Sequence, residues 1–185
     1  MKISPSLFLV WRVAEFEARH ANASLIEPTH LLLGLCKVVD LDLPELVSKD
    51  APDRNEMLEE LLREVRRLRT VFRTAGLDVK LFRRKLRRSS PEQRFALVES
   101  ERMHRSKAAK EIFSKAESFA QIGSSAVYPV HLLYAGLLTD DEHRDATLAE
   151  LNVEKKRLVS VSKREVLGKQ MGSASPSAKA RTRWN

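Results

Sequence analysis

The stretch LIEPTHLLLGL, from Leu25 to Leu35, decides the fold because it occurs a second time as AVYPVHLLYAGL, from Ala126 to Leu137. The matching residues share one offset of 101 (131 − 30), with Pro28 against Pro129 and His30 against His131. A single Pro-x-His-Leu-Leu carries little information. Two copies, each preceded by a short polar run, indicate an internal duplication.

Each copy of this motif predicts the start of a helix. Proline fits the first turn of a helix, where its missing N–H is not needed and its fixed φ is suitable. The residue before a proline favours extended geometry, so we expect Glu27 and Tyr128 just outside the two helices. Leu31, Leu32 and Leu35 then recur at helical spacing and predict a buried face.

Composition favours an all-α chain of one domain or of two small halves that share a core. Of the 185 residues, 43% are hydrophobic, 6% are aromatic and only six are glycine, which suits helices better than a sheet. The formal charge of +8 permits nucleic acid, acidic protein or anionic lipid as a partner. Cys36 is the one cysteine, which fits a reducing compartment. No apolar run approaches the ~18 residues of a membrane span, so we expect a cytoplasmic protein without a membrane partner.

Hydrophobic periodicity predicts four helices in each copy. In the first copy they are expected at about Ser6–His20, Pro28–Val38, Asp53–Ala75 and Asp78–Arg88. In the second copy they are expected at about Ser106–Ile122, at Pro129–Leu138, in a short helix that follows the acidic residues 140–142 and ends at Leu151, and at Glu154–Gly168. The predicted apolar side of the first helix consists of Phe8, Trp11, Val13, Ala14, Phe16 and Ala18. Asp53 and Glu56 are typical of a capping box, and Gly76 of a helix C-terminus.

A second match between the copies indicates an insertion in the first. Residues 72–78 (FRTAGLD) align with residues 148–154 (LAELNVE). Both segments end a helix at a residue that tolerates left-handed geometry and restart it at an acidic residue. The offset here is 76 (152 − 76), so the first copy contains 25 additional residues (101 − 76).

These matches predict the domain organisation. The domain covers 1–168, with repeat 1 at about 5–88, an insertion at about 39–68, a linker at 89–104 that is helical in part, and repeat 2 at about 105–168. The basic tail at 169–185 has no periodicity and is expected to be disordered.

Two four-helix repeats, with IEPTHLLLGL at the second helix and AGLD at the start of the fourth, resemble the Clp repeat domain. This is the N-terminal domain of the Clp family of AAA+ unfoldases and disaggregases. The sequence at 27–30, EPTH, is closer to the disaggregase-type EPLH than to the protease-associated GTEH. The resemblance implies an eight-helix bundle of two pseudo-twofold repeats, with a helical insertion in repeat 1.

The resemblance also implies a protein-binding module of the Clp chaperone and protease system, which docks adaptors, client segments or Clp subunits. Clp ATPases continue into an ATPase module, but this chain contains no GxxxxGK[ST] phosphate loop. We therefore expect a non-enzymatic, free-standing repeat domain or a truncated relative. The protease-associated branch uses a glutamate before the motif histidine to bind phosphorylated arginine. In this sequence the two corresponding positions are occupied by Thr29 and Val130. Binding of phosphorylated arginine is therefore not expected.

The duplicated histidines, His30 and His131, raise the question of a catalytic or metal site. HxxxH and HExxH are absent, and no serine lies in a nucleophile elbow. We interpret each histidine as the start of a buried helix that bonds back to the preceding loop. Together with Pro28 and Pro129 they form a structural repeat motif. We predict no catalytic residue, metal site or cofactor.

The insertion helix contains the predicted protein-docking residues. Four apolar residues at helical spacing would form one wall of a groove between the repeats if they are exposed: Leu58, Leu61, Leu62 and Val65. The alternative is that they pack on the bundle. Four basic residues on this helix and the next would steer a partner towards the groove: Arg66, Arg73, Arg83 and Arg84.

The basic stretch leaves three interpretations open. It is an ordinary solvated face that pairs with nearby glutamates, or it docks an acidic protein surface, or it binds the phosphates of nucleic acid. No recognition helix, stacking aromatic or zinc-finger pattern supports the last of these. A basic helical nucleic-acid-binding protein is nevertheless the alternative function.

Overall fold

A computed structural model describes residues 2–47, 53–89, 103–124 and 126–168. Within these ranges it contains nine helices and one two-stranded parallel sheet. The helices are α1 (Pro5–His20), α2 (Pro28–Val38), α3 (Leu43–Leu46), α4 (Arg54–Ala75), α5 (Val79–Ser89), α6 (Lys107–Gln121), α7 (Pro129–Leu137), α8 (Glu142–Glu150) and α9 (Lys155–Leu167). The strands are β1 (Lys2–Ile3) and β2 (Ala126–Val127). The predicted all-α class is confirmed.

The helix that the sequence did not predict is α3, a single turn between the predicted helices at about Pro28–Val38 and Asp53–Ala75. Pro44 lies in its first turn, where proline is well tolerated. The described helices therefore number nine, not eight. Residues 90–102 of the predicted linker and the tail at 169–185 lie outside the described residues.

Each half of the chain holds the start of the other half's first helix. The N–H of Ser4, the N-cap of α1, donates to the carbonyl of Val127 at 3.0 Å, beside the β1–β2 pair. The N–H of Ser106, the N-cap of α6, donates to the carbonyl of Ile26 at 3.1 Å, where Ile26 pairs in parallel with Arg105. These reciprocal contacts were not predicted, because strands of two residues are too short to show periodicity.

The motif histidines hold the same extended segments in place. Nδ1 of His30 accepts the N–H of Glu27 at 3.0 Å, and Nδ1 of His131 accepts the N–H of Tyr128 at 3.0 Å. Both imidazoles are buried. Because Nδ1 is an acceptor, each ring is neutral and carries its proton on Nε2. Burial also lowers the pKa of His30, although the negative charge of Glu17 acts to raise it.

The apolar side predicted for α1 is wrong at Phe8 and Phe16, which are 55% and 66% exposed. The helix instead packs through a stripe of smaller residues, Leu7, Val10, Ala14 and Ala18. This stripe already has the spacing of one helix face. Phe8 comes one residue after Leu7, about 100° further around the helix, and its side chain therefore faces solvent.

The predicted helix ends are correct in position but not in every detail. Asp53 is the N-cap of α4, yet its side chain makes no cap hydrogen bond, so the predicted capping box with Glu56 is wrong. Its backbone (φ −105°, ψ 28°) is not in the extended conformation that a capping side chain needs. Gly76 ends α4 and Asn152 follows α8, both with positive φ. Asp78 then accepts two N–H groups of the first turn of α5.

Helices α1 and α2 approach each other most closely at Gly34. A Cβ atom on Gly34 would lie 2.6 Å from the carbonyl oxygen of Val10 and 3.2 Å from the amide nitrogen of Ala14. Both neighbours are backbone atoms, which cannot move without shifting α1. The crossing therefore requires glycine.

We expect Gly34→Ala to destabilise the protein by about 2 kcal/mol, because overpacking a close helix contact forces the backbones apart. Urea unfolding followed by circular dichroism measures the change. Gly136→Ala is the matched control, since a Cβ there would meet only Cγ2 of Ile112 at 4.0 Å. Equal loss in both variants would contradict the close-contact explanation.

A buried carboxyl group joins α4 to the start of α1. Oε2 of Glu64, on α4, accepts hydrogen bonds from Oγ of Ser4 at 2.6 Å and from Oγ of Ser6. Oε1 is buried and has no hydrogen-bond partner among the described residues. Burial raises the pKa of Glu64, although both serine hydrogen bonds act in the opposite direction.

The raised pKa predicts a pH-dependent effect of Glu64→Gln. A carboxyl group with a raised folded-state pKa stabilises the fold below its unfolded pKa, and this contribution is lost as the pH rises through the folded value. The glutamine variant should therefore be more stable than the wild type at pH 8, with the difference shrinking towards pH 4. Thermal melts across this range give the size of the shift, at about 1.4 kcal/mol per pKa unit.

Glu59→Gln removes an exposed carboxylate on the same helix, and Glu59 is not among the groups that shift the pKa of Glu64. It is the control for a general charge effect. The same pH dependence in both variants would show that burial of Glu64 is not the cause.

Candidate functional site

An apolar groove of about 780 Å³ opens where α3 and α4 meet the start of the chain. Strands β1 and β2 and the first turns of α1 form one side, and α3 and the start of α4 form the other. Its main apolar lining residues are Phe8, Leu9, Leu46, Val47, Met57 and Leu61. Ala126 and Tyr128 also line it, so the groove lies between the two halves of the chain.

Three large apolar side chains on the rim of this groove are exposed to solvent: Phe8, Leu46 and Met57. Single exposed apolar residues are ordinary, but several around one concavity are typical of a binding surface. The charged residues that line the groove are Lys2 and Glu60. The groove is therefore suited to apolar side chains, with one charge of each sign at its edge.

The four apolar residues predicted for docking do not lie together on one exposed surface. Leu61 lines the groove, whereas Val65 is buried in the core and Leu58 is partly buried against it. Leu62 is exposed but is not part of the groove. Helical spacing on α4 marks its core-facing side, and this is why the same pattern could not identify the docking side.

The predicted basic residues do not line the groove. Arg66, Arg73 and Arg84 are exposed on α4 and α5. Arg83 is mostly buried and forms an ion pair with Asp40, in which its Nη1 lies 3.0 Å from Oδ2. This pairing was not foreseen, because the partner lies 43 residues away in the sequence.

Metal binding, a reactive cysteine and a membrane span each find little support in the described part of the chain. It contains no group of three or more His, Cys, Asp or Glu residues that could hold a metal ion. Cys36 is buried, and burial raises the pKa of its thiol to about 12. Among the described helices, none combines the length and the apolar character needed to cross a bilayer.

A second concavity, of about 440 Å³, lies beside the motif histidine His30. Its lining is acidic, with contributions from Glu27, Asp140, Asp141 and Glu142. Asp141 is already engaged, since its Oδ1 accepts the N–H of Arg144 as the N-cap of α8. The apolar groove is therefore the stronger candidate for a binding site.

No protein-family model and no curated protein matches the sequence. Solved structures do match. The N-terminal domain of the caseinolytic protease associated chaperone ClpD from Arabidopsis thaliana is 16% identical, with a TM-score of 0.57 over 88% of this chain and 92% of that one. The N-terminal domain of Hsp104 from Candida albicans is 17% identical, with a TM-score of 0.62 over 92% of this chain and 94% of that one.

A third similar chain comes from structural work on a malarial protein secretion system. It is 17% identical, with a TM-score of 0.62 over 92% of this chain and 99% of that one. Identities this low establish the fold alone, and they agree with the resemblance seen in the duplicated motif. The chain has the fold of the N-terminal domains of Clp chaperones.

Proposed function

We propose that this chain is a non-enzymatic protein-binding module of the Clp chaperone system, which docks apolar segments of other proteins in the groove between β1, α1, α3 and α4. The observation that carries the proposal is the exposure of Phe8, Leu46 and Met57 around one concave surface. The similarity to N-terminal domains of chaperones supports it.

Binding in this groove would be driven by the hydrophobic effect. Each large apolar side chain that leaves water contributes roughly 1.5–3 kcal/mol. Two or three such side chains contribute roughly 3–9 kcal/mol, and the cost of ordering a flexible segment leaves weak binding, nearer to millimolar than to micromolar affinity. Such affinity suits transient contact with many apolar sequences.

The proposed partners are unfolded client segments, adaptors, and Clp ATPase or protease subunits, met in the cytoplasm. A buried, protonated thiol at Cys36 is compatible with such a reducing compartment. The nucleic-acid alternative gains no support from the groove, because an apolar surface with a single lysine offers phosphates little attraction.

Phe8→Glu and Met57→Glu should each weaken the binding of a labelled, neutral peptide of alternating leucine and serine by at least about tenfold, since a charge would be desolvated on binding. Fluorescence anisotropy measures the affinity, and circular dichroism verifies the fold. Phe16→Glu is the matched control, because Phe16 lies on the same helix, is at least as exposed, and is not in the groove.

The control variant should bind within about twofold of the wild type. The proposal fails if the wild-type protein does not bind the peptide. It also fails if all three variants lose affinity to the same extent.

A further inference from the structure

Helices α4 and α9 lie side by side at the surface. Nη2 of Arg67 donates to the carbonyl oxygen of Glu165 at 2.8 Å, and its Nε lies 3.4 Å from Oε2 of the same residue. Arginines occupy the solvent-facing positions of both helices next to this contact. They are Arg63, Arg66 and Arg73 on α4, and Arg157 and Arg164 on α9, and together they are called the arginine surface here.

The arginine surface follows from helical geometry. Helix α4 buries Leu61, Val65 and Leu68 on one side. Arg63, Arg66 and Arg73 lie on the opposite arc, and Arg67 at its edge contacts α9. Arg157 and Arg164 are seven residues apart (164 − 157), or about two turns and 10 Å along α9. Both helices therefore present arginine on one shared outer surface.

What distinguishes these five arginines is that they are grouped on two adjacent helices and have no acidic partner among the described residues. Within the described part of the chain, none of the five forms an ion pair, whereas Arg67 pairs with Glu165, Arg83 with Asp40, Lys85 with Glu150 and Arg87 with Glu17. On α4, Glu64 adjoins Arg63 but is buried and bonded to Ser4 and Ser6. The exposed or partly exposed Glu59 and Glu60 lie about one turn before Arg63. The arginine surface thus keeps an uncompensated positive charge.

We propose that the arginine surface docks an acidic segment of a partner protein. Guanidinium groups bind carboxylates through paired N–H donors, which favours arginine over lysine at such a site. The exposed residues of α4 and α9 include no aromatic side chain, so nucleic-acid bases would find no stacking platform. Both helices also pack along the body of the bundle and do not project as a recognition helix would.

The arginine surface is separate from the apolar groove. The groove involves α4 at Met57, Glu60 and Leu61, while the arginines begin at Arg63 and continue towards the other end of the helix. The inference therefore does not rest on the proposed binding in the groove. Its test uses an acidic peptide, whereas the groove is tested with a neutral peptide of leucine and serine.

The test compares two charge-reversed variants of the full chain. Arg66→Glu/Arg164→Glu changes the arginine surface. Lys110→Glu/Lys115→Glu is the matched control, because it alters the net charge equally at exposed positions of α6. The probe is a labelled peptide of repeating Glu-Glu-Ser, with oligothymidylate of the same charge as a second probe. Anisotropy is measured at about 50 mM and about 300 mM salt.

We expect the wild type and the α6 variant to bind the acidic peptide within about twofold of each other, and the arginine variant to bind at least about tenfold more weakly. The difference should shrink at the higher salt concentration. Circular dichroism melts check that each variant is folded, independently of any binding in the groove.

Three results would overturn the proposal. The first is no peptide binding by the wild type at low salt. The second is equal loss in both variants, which would mean that net charge alone acts. The third is tighter binding of oligothymidylate than of the peptide, lost in the arginine variant, which would identify a phosphate partner instead.

Discussion

The two hydrogen bonds from Ser4 to Val127 and from Ser106 to Ile26 are the constraint on which the rest of this structure depends. They require an extended backbone just before α2 and α7, and the following proline favours that geometry. The histidine two residues later then holds it, since its Nδ1 accepts the N–H of the residue before the proline. The repeated motif therefore holds the backbone segments through which the two halves of the chain bond to each other. This structural role accounts for the two repeated histidines.

Helix α4 connects this framework to both proposed binding surfaces. It contributes Glu64 to the start of α1 and Met57 and Leu61 to the apolar groove, and it continues into the arginine surface. Burial of Glu64 fixes the helix relative to α1, so the side chains on its exposed arc are held by a rigid support. One helix thus contributes to both proposed binding surfaces.

Features that depend on local geometry were predictable from the sequence. Helix starts at proline, the helix end at Gly76 and the all-α class follow from residue type and spacing alone. Features that depend on distant partners were not. The pairing of Arg83 with Asp40, the exposure of Phe8 and the contribution of Met57 to the groove are set by which helices meet, and periodicity records only that a helix has a buried side.

Cys36 has a practical consequence for anyone who wishes to follow motion in this protein. Since the native sulfur is enclosed and its pKa is about 12, it stays protonated near neutral pH and reacts slowly with maleimides. A cysteine introduced at an exposed position would then be the single labelled site, with the wild-type core left intact. Two such positions, one on each half, would accept a pair of dyes and report whether the halves separate when a ligand arrives.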